Sequence, residues 1–298
     1  MSRTIGVMAS EHIAVGLVEN REISGAIRIY PEDGSGIEGL LGTPAESIVQ
    51  GVVEQIRIVA GGKKIDAIGV GVPGVVRDGI IEESPNLPQV KGLNLEIELL
   101  QAFRTDDSFV PILILNNADA LAAGIAVTQG YMDKFVRVWT LGRGVGYGRY
   151  PRRDGVWEGG HSVVSLDPKE RFCQCGGVGH LEGIVGNRAM RLRFLDLEPE
   201  EVFDNALAGD VRCRDFVRYW HRAIAAATAT AVHMDGPGRF FISGSNAKHV
   251  DTNLLALYLA EMVKIGPLTG SKMEVMPASD AMAVIGAAVS AEMAALDA

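Results

Sequence analysis

Cys173 and Cys175 are separated by one residue, too close together to form an ordinary disulfide, and the chain has only one further cysteine. Metal ligation is the better use for such a pair, because two thiolates on a short loop can reach one ion. A second chemical signal is the pair Asn116-Asn117, which follows the apolar run Ile112 to Leu115 and precedes a small-residue helix expected from Asp119 to Gly130. Strand-to-helix junctions of this kind hold ligands at the carboxyl edge of a sheet. Two loops add polar groups and turns: Gly71-Val72-Pro73-Gly74, and Ser84-Pro85-Asn86-Leu87-Pro88.

The elements that must position these residues follow from periodicity. Thr4 to Val7, Ile13 to Val18 and Glu22 to Tyr30 read as three strands of an antiparallel meander. Ile48, Val52, Val53, Ile56 and Val59 recur at helical spacing between Pro44 and Ala60, with Gly61-Gly62 as the stop. A strand is expected over Ile65 to Val72 and a short helix near Asn94 to Phe103. Gly34 to Gly42 reads as a loop within the first lobe. After a hinge expected near Gly130 to Lys134, the strand Val136 to Leu141 opens a second half that repeats the hairpin idea through Gly142 to Gly146. That half is expected to end in long helices around Asp215 to His233 and Ala281 to Ala295. The expected lobes are therefore 1–130 and 131–298, loosely related copies of one α/β plan.

Composition narrows the function classes. A 298-residue chain with 47% hydrophobic and 22% charged residues can bury two ordinary cores. With 28 basic against 37 acidic residues the net charge is −9, and no stripe of Lys and Arg suggests a nucleic-acid footprint. No uninterrupted apolar stretch of about 18 residues or secretion signal is visible. A cytoplasmic protein with neither nucleic-acid nor membrane partners is expected.

Several segments, in order, resemble the ROK family of sugar kinases and sugar-responsive repressors. They are Gly69 to Gly74, Pro85 to Pro88, Asn116 to Gly124, Leu141 to Gly146, Glu158-Gly159-Gly160-His161, Cys173 to Glu182, and Ser243-Gly244. The strongest is Cys173-Gln174-Cys175-Gly176-Gly177-Val178-Gly179-His180-Leu181-Glu182, similar to the family's zinc signature C-x-C-G-x-x-G-C-x-E with His180 in place of the third cysteine. The resemblance implies an α/β, actin-like (ribonuclease-H-like) fold of two lobes with a central cleft. It also implies a homodimer and, in this chain, a closed structural zinc site of His161, Cys173, Cys175 and His180. The plain alternative is a surface histidine beside two free thiols.

By motif match the sugar contacts fall on Asn86, Asn116, Glu158, His161 and Glu182, with His161 shared between zinc and sugar. Each has a bland reading on its own: Asn86 as a turn former, Glu158 as a solvated acid, Glu182 as a helix-start residue. Together they suit a hexose or related polyol, whose hydroxyls each need a partner on leaving water.

The nucleotide side departs from the family. Its first phosphate loop reads D-x-G-G-T-K, whereas this chain reads Met8-Ala9-Ser10-Glu11-His12, with Met8 at the aspartate and Glu11 near the phosphates. The family's E-N-D-A-N-A-A-A-L-G aligns with Leu115 to Gly124 and places Asn117 at the catalytic aspartate, whose role is to take the proton from the attacking sugar hydroxyl. That change alone implies a loss of about 10²- to 10⁴-fold. Asp119, two residues on, faces elsewhere on the helix. Arg143 replaces a threonine in the second phosphate turn and can meet an anion. Gly142, Gly144, Gly146 and Gly244 are what remains of the ATP site. The resemblance with these departures implies a hexose-binding homologue degenerate in ATP-dependent transfer; the alternative is an active hexose kinase of the glucokinase type. The repressor branch carries a winged-helix segment ahead of the first strand, and here that strand begins almost at Met1, so DNA binding is not expected.

Overall fold

The computed structural model describes residues 2–32, 39–104, 109–153 and 155–297; most of the glycine-bearing loop expected before Gly42 lies outside them. The chain divides into two compact units, Met1–Val136 with Gly148–Trp157 and Ser279–Ala298, and Arg137–Tyr147 with Glu158–Ala278.

In the first unit β1 (Arg3–Ala9), β2 (Ile13–Glu19) and β3 (Glu22–Tyr30) form the expected antiparallel meander, followed by α1 (Ala45–Ala60) and β4 (Ala67–Val72). A small hairpin, β5 (Val75–Arg77) with β6 (Ile80–Glu83), precedes α2 (Leu95–Phe103), β7 (Ile112–Asn116) and α3 (Asn117–Thr128). The sheet runs β3-β2-β1-β4-β7, with β1, β4 and β7 parallel. Ile5 and Val7 face the core that includes Ile48, Val52 and Ile56 of α1, the apolar stripe read from the sequence.

The second unit contains nearly all of β8 (Val136–Leu141), the start of β9 (Val145–Tyr150) through Tyr147, α4 (Glu182–Val185), α5 (Asn187–Arg193), α6 (Pro199–Leu207) and α7 (Val211–Asp235). It continues with β10 (Arg239–Ser243), α8 (Thr252–Met262) and β11 (Lys272–Val275), in a sheet ordered β11-β10-β8-β9. Trp139 and Trp220 are buried here, their indole N–H groups donating to Thr228 Oγ1 and Val185 O.

The last helix, α9 (Asp280–Asp297), was expected in the second lobe, and the lobe boundary was expected at residue 130; the observed division differs on both. The reason is close backbone packing. A Cβ on Gly6 of β1 would lie 1.9 Å from Val284 O, and one on Gly124 of α3 would lie 1.8 Å from Met282 O. The glycines of the first unit thus make the seat for this alanine-rich helix, and periodicity alone could not show which unit it covers.

His221 of α7 is 1% exposed, with Nδ1 donating to Val217 O at 2.7 Å and Nε2 accepting from Asp251 N at 2.9 Å. Burial pushes its pKa below the ordinary 6.5, so it stays neutral in the fold. Below about pH 6.5 the unfolded chain takes up a proton that the folded one refuses, and stability therefore falls on acidification, by up to about 1.4 kcal/mol per pH unit. Urea unfolding at pH 7.5 and 5.5 should show a smaller pH difference in His221→Gln than in the wild type; an equal difference would assign the acid sensitivity to other groups.

Candidate functional site

The second unit gathers the His/Cys residues on one irregular loop. His161, Cys173, Cys175 and His180 offer ligand atoms that all lie within 4.8 Å of one another. The separations are 3.3 Å for His161 Nδ1 to His180 Nδ1, 3.4 Å for Cys173 Sγ to Cys175 Sγ, 3.6 Å for Cys173 Sγ to His161 Nδ1, and 3.2 Å for Cys175 Sγ to His180 Nδ1. A zinc tetrahedron with ordinary Zn–N and Zn–S lengths has edges of about 3.3 Å between nitrogens and about 3.8 Å between sulfurs. The donor set fits that ion, and all four protein ligands are present, as a closed structural site requires.

The backbone is built around this cluster. Val164 N and Ser165 N donate to Gly179 O, Gly179 N donates to Glu170 O, and Leu181 N donates to Ser162 O. Gly179 has φ +71° and a Cβ there would lie 1.8 Å from Ser165 O, while a Cβ on Gly177 would meet the His180 ring at 2.0 Å. Only glycine fits at these two positions. Burial pushes the Cys173 thiol up to about 12 and the His180 imidazole down. A bound cation reverses the thiol effect by favouring thiolate, and the lowered imidazole is already in its ligating, neutral form.

Three acid or imidazole groups named from the sequence come together at the same place. Glu158 O accepts from His161 N at 3.0 Å, and burial raises the Glu158 carboxyl above its ordinary value, offset by His161 and reinforced by Glu182. Glu182 Oε2 accepts from Val145 N at 3.0 Å, and its Oε1 lies 3.7 Å from Cys173 Sγ. With both His161 and His180 turning Nδ1 inward, the Nε2 atom of His161 is left for a partner outside the cluster.

The first unit carries the asparagines. Asn116 caps α3, its Oδ1 accepting from Ala118 N, while its Nδ2 donates to Gly74 O, each at 2.7 Å. Ser84 Oγ donates to Pro73 O at 2.8 Å. Asn116 and Ser84 therefore pin the Val72-Pro73-Gly74 turn from two sides, and Ser84 anchors the loop bearing half-buried Asn86. Ser84 had no signal beyond its place before Pro85. The helix starts two residues earlier than expected because Asn116 supplies the cap, which puts Asn117 in the first helical position. Asn117 makes no side-chain hydrogen bond among the described residues. Asp119 is 8% exposed and accepts from Arg149 N at 2.9 Å. Burial raises its pKa to about 6, against the lowering effects of that bond, Trp157, Arg149 and Arg152.

At the end of β1, Met8 is 6% exposed, and a Cβ on Gly71 would meet its Sδ at 2.6 Å. A thioether packed between β1 and β4 fills the place at which the motif match expects an aspartate. In the following turn Ser10 N donates to His12 O, Leu40 N donates to Glu11 O, and His12 Nε2 pairs with Asp280 Oδ2 at 3.0 Å.

Gly142 and Gly144 lie on a turn that leads into Gly146 of β9, Gly244 lies on a second turn, and the two turns are tied together. Asn187 N donates to Gly142 O, Asn246 N donates to Leu141 O, and Asn246 Nδ2 donates to Asn187 Oδ1 at 2.6 Å. Asn187 was missed by sequence reasoning, because its role depends on two turns distant in the chain. Gly142 N donates to Gly144 O and Gly146 N to Thr140 Oγ1, so much of the turn's amide capacity is spent internally. Arg143 on this turn is exposed and has no ion pair among the described residues.

Among the described residues no helix is long and apolar enough to cross a membrane. The family model described as "ROK family" matches residues 41–293. A glucokinase of Pyrobaculum calidifontis is 31% identical over 210 residues, 65% of this chain and 68% of that protein. The crystal structure of a ROK hexokinase from Thermus thermophilus superposes with a TM-score of 0.79 at 21% identity, over 99% of this chain and 100% of that one. That of a ROK family glucokinase from Streptomyces griseus, in complex with glucose and AMPPNP, gives 0.68 at 22% identity over 98% and 100%. The fold class is thus α/β, of the actin-like kind found in these sugar kinases. Motif order, sheet order and family match agree, and the chain belongs to the ROK family.

Proposed function

We propose that this protein binds a hexose or related polyol through the residues around its zinc loop, and that it has lost ATP-dependent phosphoryl transfer. Glu158, His161 and Glu182 would contact sugar hydroxyls, zinc held by His161, Cys173, Cys175 and His180 would set the His161 ring, and Asn86 and Asn116 are further contacts implied by the family motifs. Zinc supplies no chemistry here beyond fixing the loop and the imidazole.

The observation that carries the loss is the pairing of Met8 with Asn117: a buried thioether and an amide stand at the two positions where the motifs expect carboxylates. A thioether is no ligand for magnesium, and an uncharged amide cannot accept the hydroxyl proton. The first turn also spends Ser10 N on His12 O and carries exposed Glu11, whose charge repels a phosphate.

Calorimetric titration of the zinc-loaded protein with glucose and other hexoses, and separately with Mg-ATP, tests the proposal. Saturable heat with a hexose, with no hexose phosphate formed in a single turnover when Mg-ATP is added, is the expected result. Mg-ATP binding together with formation of hexose phosphate in a single turnover would replace this reading with an active glucokinase-type enzyme.

A further inference from the structure

The β2–β3 hairpin closes with a two-residue loop, Asn20-Arg21, between the paired residues Glu19 and Glu22. Both loop residues have positive φ, 54° and 65°, the conformation of a type I′ turn. Asn tolerates it, and Gly is the residue that suits the second position, but Arg21 is held there with a Cβ and a long side chain. The turn demands the positive φ, and an arginine in place of the undemanding glycine is the outlier from which a task for its side chain is hypothesised.

Arg21 lines an open surface pocket of about 650 Å³ in the first unit, where Arg21 and Glu22 are themselves exposed. This size suits a small organic ligand. One wall is apolar, made by Ile23 of β3, Val127 of α3, Met132 and Ile285 of α9. The Arg21 guanidinium meets a thioether there, Nη1 lying 3.0 Å from Met132 Sδ, and makes no ion pair among the described residues. Glu22 lines the same pocket and is likewise without an ion pair among the described residues, whereas the other acid on its wall, Asp133, is paired with Lys134 Nζ at 2.7 Å.

We propose that this pocket binds a small zwitterion with an apolar body, of the α-amino-acid class. Its carboxylate would lie on Arg21, its ammonium on Glu22, and its side chain against Ile23, Val127, Met132 and Ile285. One unpaired cation and one unpaired anion beside an apolar wall match such a ligand in charge and shape. A simple organic anion leaves Glu22 repelled, and a simple amine leaves Arg21 unmatched. This site is independent of the sugar residues and of whether ATP is used.

Leucine is the probe, titrated calorimetrically into the full-length protein, with N-acetylleucine and isoamylamine as ligands lacking one charge each. Saturable leucine binding is expected, weakened at least about tenfold when either charge is removed from the ligand and in Arg21→Gly or Glu22→Gln. Arg21→Gly relieves the turn, so its Tm should rise by about 2–4 °C while leucine binding is lost. That opposite movement separates a ligand-binding arginine from a structural one, whose removal would lower Tm. Absence of leucine binding to the wild type, binding unchanged in Arg21→Gly, or N-acetylleucine and isoamylamine binding as well as leucine would each overturn the proposal.

Discussion

Cys175→Ser should abolish zinc binding, lower Tm by about 10 °C or more, and weaken hexose binding at least about tenfold. The expectation follows from what the loop between His161 and His180 has besides the metal. It contains no regular helix or strand beyond an isolated bridge between Val163 and His180, and it is held by backbone bonds and by the pairing of Glu170 with Arg193. Val163 and Leu166 are 56% and 92% exposed, so the loop buries little aliphatic side chain. The loop is also anchored by the ion pair of buried Glu170 with Arg193, so a zinc held by the four donors would add its binding free energy to folding on top of that anchor.

The sugar effect has a separate cause: His161 would keep its chemistry without the ion but lose its fixed orientation. Cys213→Ala, at a buried thiol in α7 outside the cluster, is the control; it should cost some stability without changing metal content. Metal analysis, a thermal melt and a hexose titration on the three proteins decide the matter. Lost zinc with unchanged sugar affinity would show that the imidazole is positioned without the ion.

Asn117→Asp should raise the single-turnover rate of hexose phosphorylation at saturating Mg-ATP by about 10²- to 10⁴-fold over the wild type. The substitution is nearly isosteric, and position 117 is the first residue of α3, where a negative charge is favoured by the helix dipole. The variant should therefore fold at least as well as the wild type, so a failure to gain activity could not be blamed on instability. Asp119→Asn should leave turnover unchanged while lowering Tm, because Asp119 accepts from Arg149 N.

A gain in Asn117→Asp would show that an intact nucleotide site survives beside a missing base. No gain would place the decisive loss at the first phosphate turn. Restoring Met8→Asp there is no simple remedy, since a polar group packed on Gly71 at 6% exposure without a partner would cost about 2–7 kcal/mol even when neutral, and more as a carboxylate.

The sequence by itself determined the local elements and the order of the motifs. The stripe Ile48, Val52 and Ile56 with its Gly61 stop specifies α1, alternating and continuous apolar runs specify the meander, and the Cys173–Cys175 spacing points to a metal-type loop, with which the gathered His and Cys donors are compatible. These signals are short-range, carried by residues a few positions apart. Partners separated by long stretches of chain were beyond them.

That His161 joins Cys173, Cys175 and His180 was legible only through the family resemblance, because no periodicity links residue 161 to residue 173. Only the tertiary structure decided that α9 lies on Gly6 and Gly124 in the first unit, that Asn187 ties two glycine turns together, and that Met8 is packed where an acid was expected. The hairpin shows the same division at its smallest. Asn20-Arg21 reads as polar residues between two strands, and only the backbone reveals that Arg21 is held at positive φ beside a pocket. Spacing along the chain encodes which face a residue takes, whereas what that face meets depends on how distant segments close-pack.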